Sequence, residues 1–166
     1  MRIIISESQY RILKESKNKK AILVLIEEMG LHGASEFLGI PVYELIEMGF
    51  VKSYDGDLDL RDTPIESLGS LEEVGGYLDL RKTPIKSLGK LRKVGDSLNL
   101  GESEIEDLGE LNFVGESLAL YGTPIKSLGN LVYVGYDLFI MDTPKLHMSD
   151  EEIRSQVEIK KRIYKK

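Results

Sequence analysis

One internal repeat constrains this chain more than any other feature. A 20-residue unit aligns without gaps at 68 to 87, 88 to 107, 108 to 127 and 128 to 147, and a weaker copy occupies 48 to 67. Its consensus is L-G-x-L-x-x-V-G-x-x-L-x-L-x-x-T-P-I-x-S. A fixed period of this length means coils that cannot bury an apolar face alone and do so by stacking on their neighbours. The apolar positions repeat strictly: Leu68, Leu88, Leu108 and Leu128 open the units, and Val74, Val94, Val114 and Val134 lie six residues on. The L-x-L pair follows as Leu58/Leu60, Leu78/Leu80, Leu98/Leu100, Leu118/Leu120 and Leu138/Ile140.

Alternation within L-x-L is the period of a strand with one buried face. Gly and Pro interrupt the rest of the unit, so no full helix fits between strands, and the return is expected as loop or a tight 3₁₀ turn. The pattern therefore predicts one short strand per unit, with about five strands side by side in a parallel sheet at about 4.8 Å spacing. Two further patterns suit that register. Thr63, Thr83, Ser103, Thr123 and Thr143 place a hydroxyl where each coil leaves the sheet, suited to satisfying backbone groups there. Charges alternate between neighbouring coils, as Glu66, Lys86, Glu106 and Lys126, as Asp62, Lys82 and Glu102, and as Lys52, Glu72 and Arg92. Exposed pairs of this kind are worth under about 1 kcal/mol each and are read as register and solubility devices.

Composition narrows the function classes. The net charge of −6 argues against a general nucleic-acid binder, which needs a dense basic face, and points to protein partners instead. The absence of Cys removes disulfides, thiolate metal sites and cysteine nucleophiles. The opening Met1-Arg2-Ile3-Ile4-Ile5-Ser6-Glu7 has too short an apolar run for a signal peptide, and no stretch approaches the ~18 apolar residues of a membrane span. A soluble, cytoplasmic protein is the expectation.

The spacing L-x-L-x-x-T-x-I resembles the leucine-rich repeat core, with Thr or Ser in place of Asn and Val-Gly where that family places its first Leu. The V-G-x-x-L-x-L-x-x-T-x-I form is similar to a variety found in bacterial and tailed-phage proteins, and it covers about 100 of the 166 residues. The opening I-I-S-E-S-Q-Y is similar to the start of short tailed-phage proteins. The resemblance implies an α/β leucine-rich-repeat-like solenoid whose concave sheet binds a protein partner, phage-encoded and acting in the host cytoplasm. It implies no activity of its own.

Solenoids need caps, and both flanks suit that role. Three parts are expected: a helical segment over 1–47, repeats over 48–147, and a helix in 148–166. Ser6-Glu7-Ser8-Gln9 has the form of a capping box opening a helix to about Glu15. A second helix, Lys19 to Met29, is apolar all round, is expected to be wholly buried, and stops at Gly30. A short helix near His32 to Leu38 ends at Gly39, and Pro41 suits the first turn of another running to about Met48. Ser149-Asp150-Glu151-Glu152 is another capping box, predicting a helix to about Ile163 with Ile153, Val157 and Ile163 inward and Lys160, Lys161 and Arg162 at its C-terminal end.

Several candidate sites are weighed against structural roles. Residues 33–48 resemble a helix-turn-helix, but the would-be recognition helix carries Glu44 and Glu47 and no Lys or Arg, so a DNA-binding regulator is the alternative rather than the leading reading. Asp55, Asp57, Asp59 and Glu66 match acidic positions of a calcium loop, yet Leu60 stands where that loop needs Gly, so no metal is assigned. His32 and His147 lie in no nucleophile or metal constellation, and no catalytic residue or cofactor is assigned. The remaining candidates flank the paired Leu and point outward. They run from Asp57, Asp59 and Arg61, through Tyr77, Asp79, Arg81, Ser97, Asn99 and Gly101, to Ser117, Ala119, Tyr121, Asp137, Phe139 and Met141. The Asp/Arg end reads as a self-neutralising ladder. Tyr121, Phe139 and Met141 read equally as an exposed interface or as surface under the C-terminal helix or its preceding loop. The leading expectation is a non-enzymatic protein-binding module using Tyr77, Asp79, Arg81, Asn99, Tyr121, Phe139 and Met141, with glycan or host-envelope binding a further alternative.

Overall fold

The computed structural model describes residues 19–165. The expected first helix, from Ser6 to about Glu15, lies outside them. The chain is a β-solenoid whose coils each contribute two short strands, and these build two six-stranded parallel sheets along it. One sheet comprises β1 (Ser53–Tyr54), β3 (Glu73–Val74), β5 (Lys93–Val94), β7 (Phe113–Val114), β9 (Tyr133–Val134) and β11 (Glu158–Ile159). The other comprises β2 (Leu58–Asp59), β4 (Leu78–Asp79), β6 (Leu98–Asn99), β8 (Leu118–Ala119), β10 (Leu138–Phe139) and β12 (Ile163–Tyr164). We call them the valine sheet and the leucine sheet.

The leucine sheet is the one anticipated from L-x-L, and its in-register pairs, such as Leu78↔Leu98 and Leu98↔Leu118, show identical positions stacking coil on coil. The valine sheet stands where loop or 3₁₀ turn was expected, and it departs from the single strand per unit of leucine-rich repeats. Its ladder is made by Val74, Val94, Val114 and Val134. The glycine that follows each Val explains how the coils come so close: a Cβ on Gly95, Gly115 or Gly135 would lie 1.9, 1.7 or 1.8 Å from the carbonyl oxygen of the equivalent glycine one coil earlier. Within the coils runs one continuous core. Leu88, Leu91, Val94, Leu98, Leu100 and Ile105 are fully buried, and the same six positions are buried in the next coil. Each such side chain contributes about 1.5–3 kcal/mol.

The hydroxyl column acts within each coil. Thr63, Thr83, Ser103, Thr123 and Thr143 donate from the side chain to the carbonyl three residues earlier, at 2.7, 2.7, 2.6, 2.6 and 2.7 Å. Each bond closes the turn in which Asp62, Lys82, Glu102, Gly122 or Asp142 takes a positive φ. The charge columns are used in part: Lys126 pairs with Glu106, and Arg92 reaches Glu72 at 3.7 Å and Glu110 at 3.0 Å.

The N-terminal cap consists of α1 (Lys19–Leu38) and α2 (Val42–Glu47). α1 is interrupted at Gly30 (φ 76°, ψ 169°), where the sequence places a helix stop. Its first half is not wholly buried as expected: Ile22 and Leu25 face the core, while Val24 is 44% exposed. One face of the helix packs and the other does not, because a surface helix has only one side against the solenoid. α2 is fixed to the first coil by Leu45 and Ile46, both buried, and by the Glu47 carboxylate, which accepts from the backbone N–H of Glu66 at 2.7 Å and of Ser67 at 3.4 Å.

At the other end the predicted long helix is corrected. The capping box is present, with Ser149 Oγ accepting from Glu152 N–H, but α3 (Asp150–Gln156) stops after two turns. The chain then returns to the solenoid as β11 and β12, pairing Glu158 with Tyr133 and Ile163 with Leu138. Lys160, Lys161 and Arg162 therefore lie in the corner between two strands rather than at a helix C-terminus. The open edges of both sheets decide this, since a strand there satisfies backbone groups that a helix would leave unpaired: Leu138 N–H donates to Arg162 O at 2.9 Å, and Ile140 N–H to Tyr164 O at 2.8 Å.

Candidate interaction surface

The outward face of the leucine sheet brings most of the predicted residues together. Because the side-chain period is two, the residue between the paired apolar positions points outward in every coil, forming the column Asp59, Asp79, Asn99, Ala119, Phe139 and Tyr164. Beside it runs Arg61, Arg81, Gly101, Tyr121 and Met141.

At the N-terminal end the face is an ion-pair network around Asp79, which is 1% exposed. Its carboxylate accepts from Arg81 Nε at 3.0 Å and Nη2 at 2.7 Å, from Arg81 N–H at 3.1 Å, and pairs with Arg61 Nε at 3.2 Å. Arg61 also clasps Asp59 through Nε at 2.9 Å and Nη2 at 2.6 Å. The hydrogen bonds from Arg61 hold the Asp59 carboxyl below its ordinary range, and the Asp79 carboxylate holds Arg81 above its own. The half-buried Tyr77 phenol is pushed up by burial and then by Asp79, with a hydrogen bond to Asn99 opposing. Tyr77, Asp79, Arg81 and Asn99 are thus neighbours, and the self-neutralising ladder read from the sequence is present as geometry.

Toward the C-terminal end charge gives way to rings. Tyr121 lies across the space that a side chain at position 101 would occupy: a Cβ on Gly101 would sit 2.1 Å from Tyr121 Cζ. Phe139 stacks on Tyr164 with centroids 4.7 Å apart and planes 6° apart. Tyr121, Phe139 and Met141 are half-buried. The choice between an open interface and a covering helix resolves into a third arrangement, in which the terminal strand β12 widens the sheet and adds Tyr164 to the same face. A pocket of about 500 Å³ adjoins this end, lined by Ile140, Pro144, Leu146 and Met148 with Asp142 and Lys165. Lys165 is tied to Met148 O at 2.7 Å and to Asp150 at 2.6 Å.

Sequence reasoning missed a second aromatic stack on the valine sheet. Phe113 and Tyr133 are stacked at 4.9 Å with planes 8° apart, and the ammonium groups of Lys93 and Lys160 sit 5.9 Å from the two outer ring centroids. The signal was the residue before each repeat valine, which changes from Glu73 and Lys93 to Phe113 and Tyr133. Without a strand assigned there, its outward direction was not readable.

The other candidates serve the fold. Asp57 Oδ1 accepts Tyr77 N–H at 2.8 Å, and the Asp59 carboxylate is held by Arg61, so two of the acidic residues at 55–66 have protein partners. His32 Nδ1 lies 3.2 Å from the Tyr54 hydroxyl, tying the cap to the first coil, whereas His147 is exposed. Among the described residues no helix is long and apolar enough to cross a membrane. Compared with protein-family models, with curated proteins and with solved structures, the chain gives no match.

Proposed function

We propose that the chain is a non-enzymatic protein-interaction module of leucine-rich-repeat kind, phage-encoded and acting in the host cytoplasm, which takes a protein partner on the outward face of the leucine sheet. The observation that carries this reading is the aromatic end of that face: Tyr121 seated over Gly101 beside the Phe139–Tyr164 stack, on a sheet fixed by its ladder. Rigid aromatic side chains lose little entropy on binding and recur as anchors of interfaces. Met141 supplies an adaptable apolar contact beside them. Tyr77 and Asn99 border the anchors with polar groups, and Asp79 is a positioning residue that holds Arg81 at the rim. The phage assignment rests on the form of the repeat and of the opening residues alone.

Two other readings have less support. DNA binding through residues 33–48 would need the helix whose Leu45, Ile46 and Glu47 hold the cap to the first coil. Glycan binding uses free ring faces, whereas Phe139 gives a face to Tyr164, and Phe113 and Tyr133 give faces to each other.

The test is affinity capture from host lysate with mass spectrometry, followed by titration of the recovered partner against purified protein. Tyr121→Ala with Phe139→Ala should weaken binding at least about tenfold while circular dichroism stays that of the parent. Unchanged affinity would sink the proposal.

A further inference from the structure

Each aromatic stack has one ring in the last repeat, Tyr133 and Phe139. Val132 and Tyr136 are 56% and 51% exposed, and Tyr136 occupies the corner between Tyr133 on the valine sheet and Phe139 on the leucine sheet. The corner column reads Gly76, Asp96, Glu116, Tyr136 and then Lys161, whose N–H donates to Tyr136 O at 3.2 Å. Arg162 follows, its N–H donating to Asp137 Oδ1 at 2.9 Å. Lys161 and Arg162 are exposed, and among the described residues neither side chain has an ion-pair partner, in contrast to Lys160 with Glu158 and Lys165 with Asp150. A chain of net charge −6 thus sets two cations, unpaired among the described residues, beside the exposed Val132 and Tyr136, with Glu116 before them in the column and Asp137 beside Arg162.

We propose that this corner docks an acidic, apolar segment of a protein partner, with carboxylates on Lys161 and Arg162 and aliphatic side chains over Val132, Tyr133 and Tyr136. This names the partner chemistry for the reading above and rests on it. Within each stack the rings turn one face to each other, and ring edges carry positive partial charge, so a carboxylate is favoured where it meets such an edge. Arg162 adds a fork matched to a carboxylate. The chain's own first eighteen residues do not match, since Arg2, Arg11, Lys14 and Lys17 outnumber Glu7 and Glu15.

The probe is a fluorescein-labelled peptide of about ten residues in which Glu alternates with Leu, long enough when extended to cross three coils some 10 Å wide. Peptides alternating Glu with Ser and Lys with Leu serve as controls, and anisotropy is read against the full-length protein. The Glu–Leu peptide should bind saturably, at least about tenfold tighter than either control, and weaken with added salt. Lys161→Glu with Arg162→Glu, and separately Tyr136→Ser, should each reduce its affinity roughly tenfold with thermal melting unchanged.

Absence of binding, equal binding of a control peptide, or indifference to the charge reversal would overturn the inference. So would sedimentation showing that the corner instead pairs two copies of the chain and that the peptide does not compete. Should the partner recovered from lysate respond to Tyr121→Ala and Phe139→Ala but not to the charge reversal, the leucine-sheet reading stands and this one fails. The opposite pattern rejects the leucine-sheet anchors and keeps the corner.

Discussion

The coil at 68–87 and the coil at 128–147 have nearly the same interior and opposite exteriors. Inside, Leu68, Leu71, Val74, Leu78 and Leu80 match Leu128, Leu131, Val134, Leu138 and Ile140, all buried. Outside, Glu72, Glu73, Asp79 and Arg81 face Val132, Tyr133, Phe139 and Met141 at the same positions. The earlier coil pairs part of its exterior charge, with Asp79 held by Arg81 of the same coil and by Arg61 of the coil before. The later coil leaves side-chain surface whose polar neighbours, Lys161 and Arg162, lack ion-pair partners among the described residues. Shared interiors maintain the stack, and exteriors are free to diverge, so differences between coils carry more functional information than the consensus does.

The largest expected effect tests the shared half of that comparison. Leu78→Ala and Leu138→Ala each empty a fully buried site and should each cost about 2–5 kcal/mol in urea unfolding, with similar values for the two. A much smaller loss at Leu138 would mean that the last coil is not part of the cooperative core.

Smaller effects should separate the exteriors. Asp79→Asn removes the carboxylate shared by Arg61 and Arg81 and should cost about 1–3 kcal/mol, since both guanidinium groups keep access to water. It should change partner affinity less than Phe139→Ala does. If Asp79→Asn abolishes binding without loss of stability, the charged end is the site and the contrast is reversed.

The smallest effect is a pH dependence. Asp59 has its carboxyl lowered by Arg61, so its contribution to stability is complete above the unfolded value of about 3.9 and is lost as pH falls through the lower folded value. Denaturation followed between about pH 5 and pH 2 should show a shallower acid limb in Asp59→Asn than in the parent. Identical limbs would show that the Asp59–Arg61 pair is worth the same folded and unfolded.

Much of this was readable in advance because stacked coils repeat their constraints. L-x-L named one sheet, its register and its outward residues, and Gly30 marked the break in α1. The valine sheet was not readable, since a two-residue strand with one inward Val shows no alternation to detect. The C-terminal strands were hidden by a capping box followed by Ile153 and Val157 at helical spacing, a pattern that fits a longer helix equally well.

By itself, then, the sequence determined a solenoid of 20-residue coils, which positions are buried, and that the exterior changes from charged to aromatic along the stack. Those follow from periodicity, which every coil must obey if its leucines are to meet the next. The tertiary structure alone decided that the segment ending in Val is a strand, that residues 157–165 close both sheets, and that a ring of each aromatic stack flanks the corner at Tyr136. Each of these depends on hydrogen bonds or contacts offered by a neighbouring coil, at distances that no local stretch of sequence encodes.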